Sequence, residues 1–158
     1  MASSSPSPAR PAVRRFLRRS RIVRIATLSP AGNPDIIALW FVLFRGRIYM
    51  TTRSENPTVR DLLRNPAVTL LFDGDGGRRS GRALRIRGRA TFRTERRICS
   101  AIYALAVARY YLSPGGIVNT LKNRRKFGVR TAYYRERAGE GGVIEVTPET
   151  AEFLLNPI

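Results

Sequence analysis

Apolar and polar positions change period along this chain, and the changes mark its elements. From Arg82 to Arg93 the alternation is strict. Leu84, Ile86, Gly88, Ala90 and Phe92 share one face; Arg85, Arg87, Arg89, Thr91 and Arg93 share the other. A period of two predicts a long, half-buried strand with an arginine stripe. That stripe has two readings, a solvated face or a surface that meets an anion. Arg21 to Leu28, Ile36 to Phe44, Arg47 to Thr52 and Ala67 to Phe72 read as four earlier strands, rich in β-branched and aromatic residues. The links Ser29 to Pro34 and Arg45-Gly46 are short turns, so the first three strands run antiparallel.

Other segments have a helical period. Residues 12–20 would bury Val13, Phe16 and Leu17. After Asn56 as cap and Pro57 at the first helical position, Val59, Leu62 and Leu63 form one stripe, and Asn65-Pro66 ends it. Residues 94–112 follow, with Thr94 as cap and Ile98, Ile102, Leu105 and Arg109 marking the repeat. Ser113 to Gly116 breaks that helix. A further helix is predicted over 117–127, stopped by Gly128, and a strand over 129–134. Val143 to Thr147 is the last full strand; beyond Pro148, Glu152 to Leu155 pairs briefly. Asp73 to Gly77 is a flexible turn that lacks the spaced acids of a calcium loop. Residues 1–11, rich in Ser, Pro and Ala, are predicted to be a disordered tail, and 12–158 a single domain. Closure into a barrel is one way to remove the exposed edges of such a sheet.

Composition narrows the chemistry. The net charge is +18, nearly all arginine, with Lys122 and Lys126 the only lysines. Such a field attracts anions: nucleic acid, a membrane surface, phosphates or acidic cofactors. Without histidine there is no Ser-His-Asp triad, Cys-His pair, histidine-ligated haem or histidine zinc site. Cys99 stands alone, which excludes an internal disulfide and fits a reducing cytoplasm. The run Ile36 to Phe44 is the longest apolar one and falls short of the roughly 20 residues that span a bilayer. The Ser- and Arg-rich start has the flavour of a transit peptide and lacks a secretory apolar core. Any hard chemistry is therefore expected from a bound organic cofactor.

Residues 48–66 form a strand end, a polar turn and a helix start. Hydroxyls, an arginine and backbone N–H groups collected there suit a phosphate; the plainer reading is a connector with exposed charges.

The order of these pieces resembles a known family. Phe16-Leu17, Ile22 to Leu28, Gly32 to Pro34 and Leu39 to Val42 look like the N-terminal signature of the pyridoxamine 5′-phosphate oxidase-like proteins, the flavin- and deazaflavin-binding split β-barrels. Thr52, Thr58, Asp61 to Pro66, Val68 to Leu71 and Val143 to Pro148 continue the pattern. The resemblance implies a mainly β (α+β) fold, a six-stranded antiparallel split barrel of the FMN-binding type with peripheral helices. It implies a homodimer with FMN or coenzyme F420 between subunits, and hydride transfer to or from a small substrate. Carried over by position, Thr51, Thr52 and Arg53 line the phosphate end, and Ile37, Ala38 and Leu39 lie under the ring. Trp40 is either a ring contact or core or dimer packing. Thr58 replaces the usual lysine and Asp61 a common asparagine. Two other functions stand beside the oxidoreductase: a basic nucleic-acid-binding protein, on the strength of the charge, and a catalytically silent cofactor-binding barrel.

Overall fold

The computed structural model describes residues 8–74, 81–112, 114 and 141–155. In chain order the elements are α1 (Pro11–Arg19), β1 (Ile22–Leu28), β2 (Pro34–Phe44), β3 (Arg47–Arg53), α2 (Pro57–Arg64), β4 (Ala67–Asp73), β5 (Arg82–Arg93), α3 (Arg96–Tyr110) and β6 (Gly141–Leu155). The strands form a closed barrel in the order β1-β2-β3-β6-β5-β4, antiparallel throughout, with β4 returning to β1. This is the six-stranded, mainly β split barrel expected. The helix expected over 117–127 and the strand over 129–134 lie outside the described residues. So do residues 1–7 of the tail, 75–77 of the turn after β4 and most of the Ser113–Gly116 break.

Alternation along the strands builds the core. Val23 and Ile25 of β1, Leu70 and Phe72 of β4, Leu84 and Ile86 of β5, and Ile144 and Val146 of β6 are all 4 % exposed or less and fill the interior. α1 is too short to be stable alone. It docks on one end of the barrel through Val13 and Leu17, with Phe16 edge-on to Phe153 at 5.6 Å. α2 closes the opposite end with Val59 and Leu62. α3 covers part of the outside. There Cys99 and Ile102 pack on Val42, Tyr49 and Val143 in a second apolar cluster.

Two boundaries differ from expectation. β6 is one strand of 15 residues, not a strand followed by a short pairing. Pro148 does not end it, because it sits at a register shift opposite Gly88. A bulge is where a strand tolerates a residue with no N–H. α3 starts after Glu95 and its cap makes no side-chain hydrogen bond, so Thr94 is not the cap.

Strand β2 changes partner along its length. Pro34 to Trp40 pair with β1, ending at Ile22↔Trp40. Phe41 to Phe44 pair with β3, and that ladder ends at Phe41↔Met50. β3 itself goes on along β6, through Thr51↔Val143 to Arg53↔Gly141. Beyond Phe41↔Met50 the edges of β2 and β3 therefore part.

The arginine stripe of β5 divides. Arg85 meets Glu152 at 2.5 Å, and Arg93 meets Glu95 at 3.1 Å. Arg87 and Arg89, between them, are exposed. Opposite the stripe, Gly88 is the only residue that fits against the bulge, since a Cβ there would lie 2.3 Å from the Thr147 carbonyl oxygen. Gly88→Ala is therefore expected to cost about 1–3 kcal/mol, as overpacking does. Urea unfolding should show a lower midpoint at unchanged slope.

Candidate functional site

The residues singled out in the sequence flank the place where β2 and β3 part. Alternation sends them to different faces. Ile37 and Leu39 pack against the barrel core, while Ala38 is exposed and Trp40 half-buried on the outer side. On the other lip Thr51 and Thr52 are half-buried and Arg53 is exposed. Arg53 lies 3.7 Å from the Glu55 carboxylate.

The turn into α2 is held by Asn56. Its amide donates to the Thr52 hydroxyl at 3.1 Å, and its carbonyl oxygen accepts from the Thr58 N–H at 3.0 Å. Asn56 thus caps α2 and fastens it to β3. The N–H groups of Val59 and Arg60 both reach the Asn56 backbone carbonyl, and Pro57 has none. The first turn thus keeps its own donors occupied.

Thr58 and Asp61 face the other way. Each is 1 % exposed, beneath the helix. The Thr27 hydroxyl donates to Asp61 Oδ2 at 3.3 Å, and Oδ1 is buried without a hydrogen bond among the described residues.

Sequence reasoning missed the aromatic cluster beside the split. Trp40 stacks on Tyr110 at 4.7 Å and 9°, with Tyr111 edge-on at 5.9 Å. The Tyr110 hydroxyl accepts from the Phe41 N–H at 3.0 Å and lies 2.8 Å from the carbonyl oxygens of Phe41 and Arg21. Burial pushes this phenol above its ordinary range, partly offset by its bond to Phe41 and by Arg109. Arg109 lies over the Phe41 ring at 4.6 Å and donates to the carbonyls of Leu17 and Ser20. The available signal was the run Arg109-Tyr110-Tyr111 closing an otherwise apolar helix.

A second polar group sits on the outer wall. Glu145 is 5 % exposed and accepts from Arg47 at 2.9 Å and from the Tyr49 hydroxyl at 2.8 Å. Its partners satisfy it, as a buried carboxylate requires. Among the described residues no group of His, Cys, Asp or Glu could hold a metal, and no helix is long and apolar enough to cross a membrane.

A closed antiparallel barrel whose second and third strands part beside a capped helix defines a split-barrel protein. The family model for pyridoxamine 5′-phosphate oxidase matches residues 9–155, and the chain belongs to that family. Solved structures share the fold at low identity. A conserved hypothetical protein from Mycobacterium tuberculosis is 18 % identical with a TM-score of 0.72, over 98 % of this chain and 89 % of that one. An F420 reductase is 22 % identical with a TM-score of 0.61, over 87 % and 94 %. A heme binding protein from Mycobacterium smegmatis is 16 % identical with a TM-score of 0.62, over 94 % of this chain and 54 % of that one. No curated protein matches the chain.

The phenol of Tyr49 is raised above its ordinary value of 10.0, first by burial and then by Glu145. The folded chain keeps this proton at a pH where the unfolded chain loses it. The stability it contributes is full below about pH 10 and is lost as pH rises through the higher folded value. Urea unfolding at about pH 9 and about pH 11 should show a falling midpoint, with a smaller fall in Tyr49→Phe.

Proposed function

We propose that the chain is a homodimeric oxidoreductase that binds a flavin-type cofactor at the split and passes hydride to or from a small substrate. The observation that carries this reading is the parting of β2 and β3 at Phe41↔Met50. It leaves Ala38 and Trp40 on one lip and Thr51, Thr52 and Arg53 on the other. The bound ring would supply the hydride chemistry; the chain's residues hold and orient it. Trp40, fixed by its stack on Tyr110, presents a rigid aromatic wall. Ile37 and Leu39 support the lip from the core side. Thr58 acts through the cap of α2 and not by contact, since it is buried.

The residues suit one charge better than two. Among the described residues of the two lips Arg53 is the single cation, it has Glu55 beside it, and the first N–H groups of α2 are taken. A phosphate monoester such as FMN carries about −1.5 to −2. The phosphodiester of coenzyme F420 carries one, and its acidic tail suits a chain of net charge +18. F420 is therefore the favoured cofactor over FMN. The buried lone thiol of Cys99, pushed up by burial, is in keeping with a reducing cytoplasm.

The second copy has a surface to meet. On the outer face of the β1–β2 pair, Ile22 lies opposite Trp40, Ala26 opposite Ile36, and Leu28 opposite Pro34. Ile36 is 62 % exposed and Leu28 44 %. Only Arg24, paired with Asp73, interrupts this apolar strip. A stable interface needs about 1,600 Å² in total, and this strip would be its centre.

Titration with F420 and FMN side by side tests the cofactor. F420 should bind more tightly, and Arg53→Ala should weaken it about tenfold, the loss of one charge-assisted hydrogen bond. If neither binds, or if the purified protein carries nucleic acid absorbing at about 260 nm in place of a flavin-type band, the reading fails. Light scattering at micromolar concentration should show a dimer, and Ile36→Lys a monomer that melts normally. A wild-type monomer would refute the interface.

A further inference from the structure

One sizeable cleft in the described structure lies away from the split. It measures about 750 Å³ and opens at the other end of the barrel, between α1, the β2–β3 hairpin and α3. That volume is within the range of about 300–1,000 Å³ typical of small-molecule sites. None of the residues placed at the split lines it. Its wall carries Arg14 and Arg18 of α1, Arg45 and Arg47 of the hairpin and Arg109 of α3, and, among the described residues, no carboxylate. Leu17, Leu43, Ile48, Ile86 and Leu105 give it an apolar floor.

Two of these arginines already have tasks. Arg47 is paired with Glu145, and Arg109 with the carbonyls of Leu17 and Ser20. Arg14 and Arg18 make no ion pair with a described residue. They stand four apart on α1, hence on the same side of the helix. Arg45 is the third, held over the Phe44 ring at 5.1 Å.

Arg45 is also in an unusual place. Its φ is 49° and that of Gly46 is 75°, the geometry of a primed two-residue hairpin turn. Asn is the residue such a turn favours at its first position, and a longer side chain there is strained. Turn chemistry does not account for arginine at this position. A guanidinium on the rim of the cleft does.

We propose that this cleft binds an organic phosphate, a molecule with an aromatic or aliphatic body and a phosphate monoester head. Its body would rest on the Leu43–Leu105 floor. Its head would meet Arg14, Arg18 and Arg45. Three guanidinium groups without an ion pair suit the near-twofold charge of a monoester better than the single charge of a carboxylate. The site is separate from the cofactor site and does not depend on that reading.

Calorimetric titration of the full chain with 1-naphthyl phosphate is the test. Binding is expected, and 1-naphthol, inorganic phosphate and 1-naphthoate should each bind about tenfold more weakly, because each lacks the body or part of the charge. Arg14→Glu/Arg18→Glu should reduce 1-naphthyl phosphate binding at least tenfold. Both residues are exposed on α1, so the melting temperature should hold. Arg45→Asn should weaken binding and yet raise the melting temperature, a pairing of effects that a purely structural arginine would not give. Arg53→Ala should leave binding unchanged. Absence of binding by wild type overturns the proposal. So does full affinity in the double variant, or loss of affinity in Arg53→Ala, which would place the probe at the split.

Discussion

The structure depends on the way β2 hands its backbone pairing from one neighbour to the next. It pairs with β1 up to Trp40 and with β3 from Phe41 onward. The next step of the β1 ladder would set Arg21 against Phe41. The Tyr110 hydroxyl occupies that place, taking the Phe41 N–H and reaching the carbonyls of both residues. A buried backbone group left unpaired costs on the order of 1–3 kcal/mol, so the end of α3 finishes a ladder that the strands alone do not. The ring that does so also stacks on Trp40, which ties the lip of the split to the helix outside the barrel. Arg109, one residue before it, fastens the same helix to the end of α1. Barrel closure, the position of α3 and the orientation of Trp40 thus share one anchor.

Charge is the second constraint. A chain of net charge +18 repels itself, and five of its described carboxylates, Glu55, Asp73, Glu95, Glu145 and Glu152, are paired with arginines. Glu145 is the clearest case: buried, it serves Arg47 at 2.9 Å and Arg93 at 3.7 Å. The exposed pairs Arg85–Glu152 and Arg53–Glu55 contribute little each. Among the described residues, Arg14 and Arg18 of α1, Arg45 of the hairpin and Arg87 and Arg89 of β5 make no such ion pair. The β5 stripe is therefore broken into a short exposed centre, Arg87 and Arg89, between paired ends.

Much of this was legible in the sequence where period decides structure. The strict alternation of residues 82–93 named the buried face of β5, and Asn56-Pro57 named the start of α2. The pairing of Arg45 with Gly46 named the hairpin. What was not legible was relation at a distance. Pro148 reads locally as a strand stop; only the bulge opposite Gly88 makes it a strand residue. Consecutive site residues read as one list, yet alternation places Ile37 and Leu39 on the core side and Ala38 and Trp40 on the outer side. Tyr110 lies 69 residues from Phe41 along the chain, and no local pattern joins them.

The two departures from the family pattern show why position in a motif is not position in a site. Thr58 in place of lysine and Asp61 in place of asparagine look like the loss of a cation and of a donor from a phosphate cradle. Both side chains are under α2, each 1 % exposed, facing β1 and the barrel end. A lysine at 58 would have to run its stem out from under the helix before its charge met water. The changes act first on packing, and Asp61 bears the consequence as a carboxylate oxygen without a partner among the described residues. On the lip of the split Arg53 has Glu55 next to it, and the first N–H groups of α2 are already taken, while Arg14, Arg18 and Arg45 line the cleft at the opposite end of the barrel.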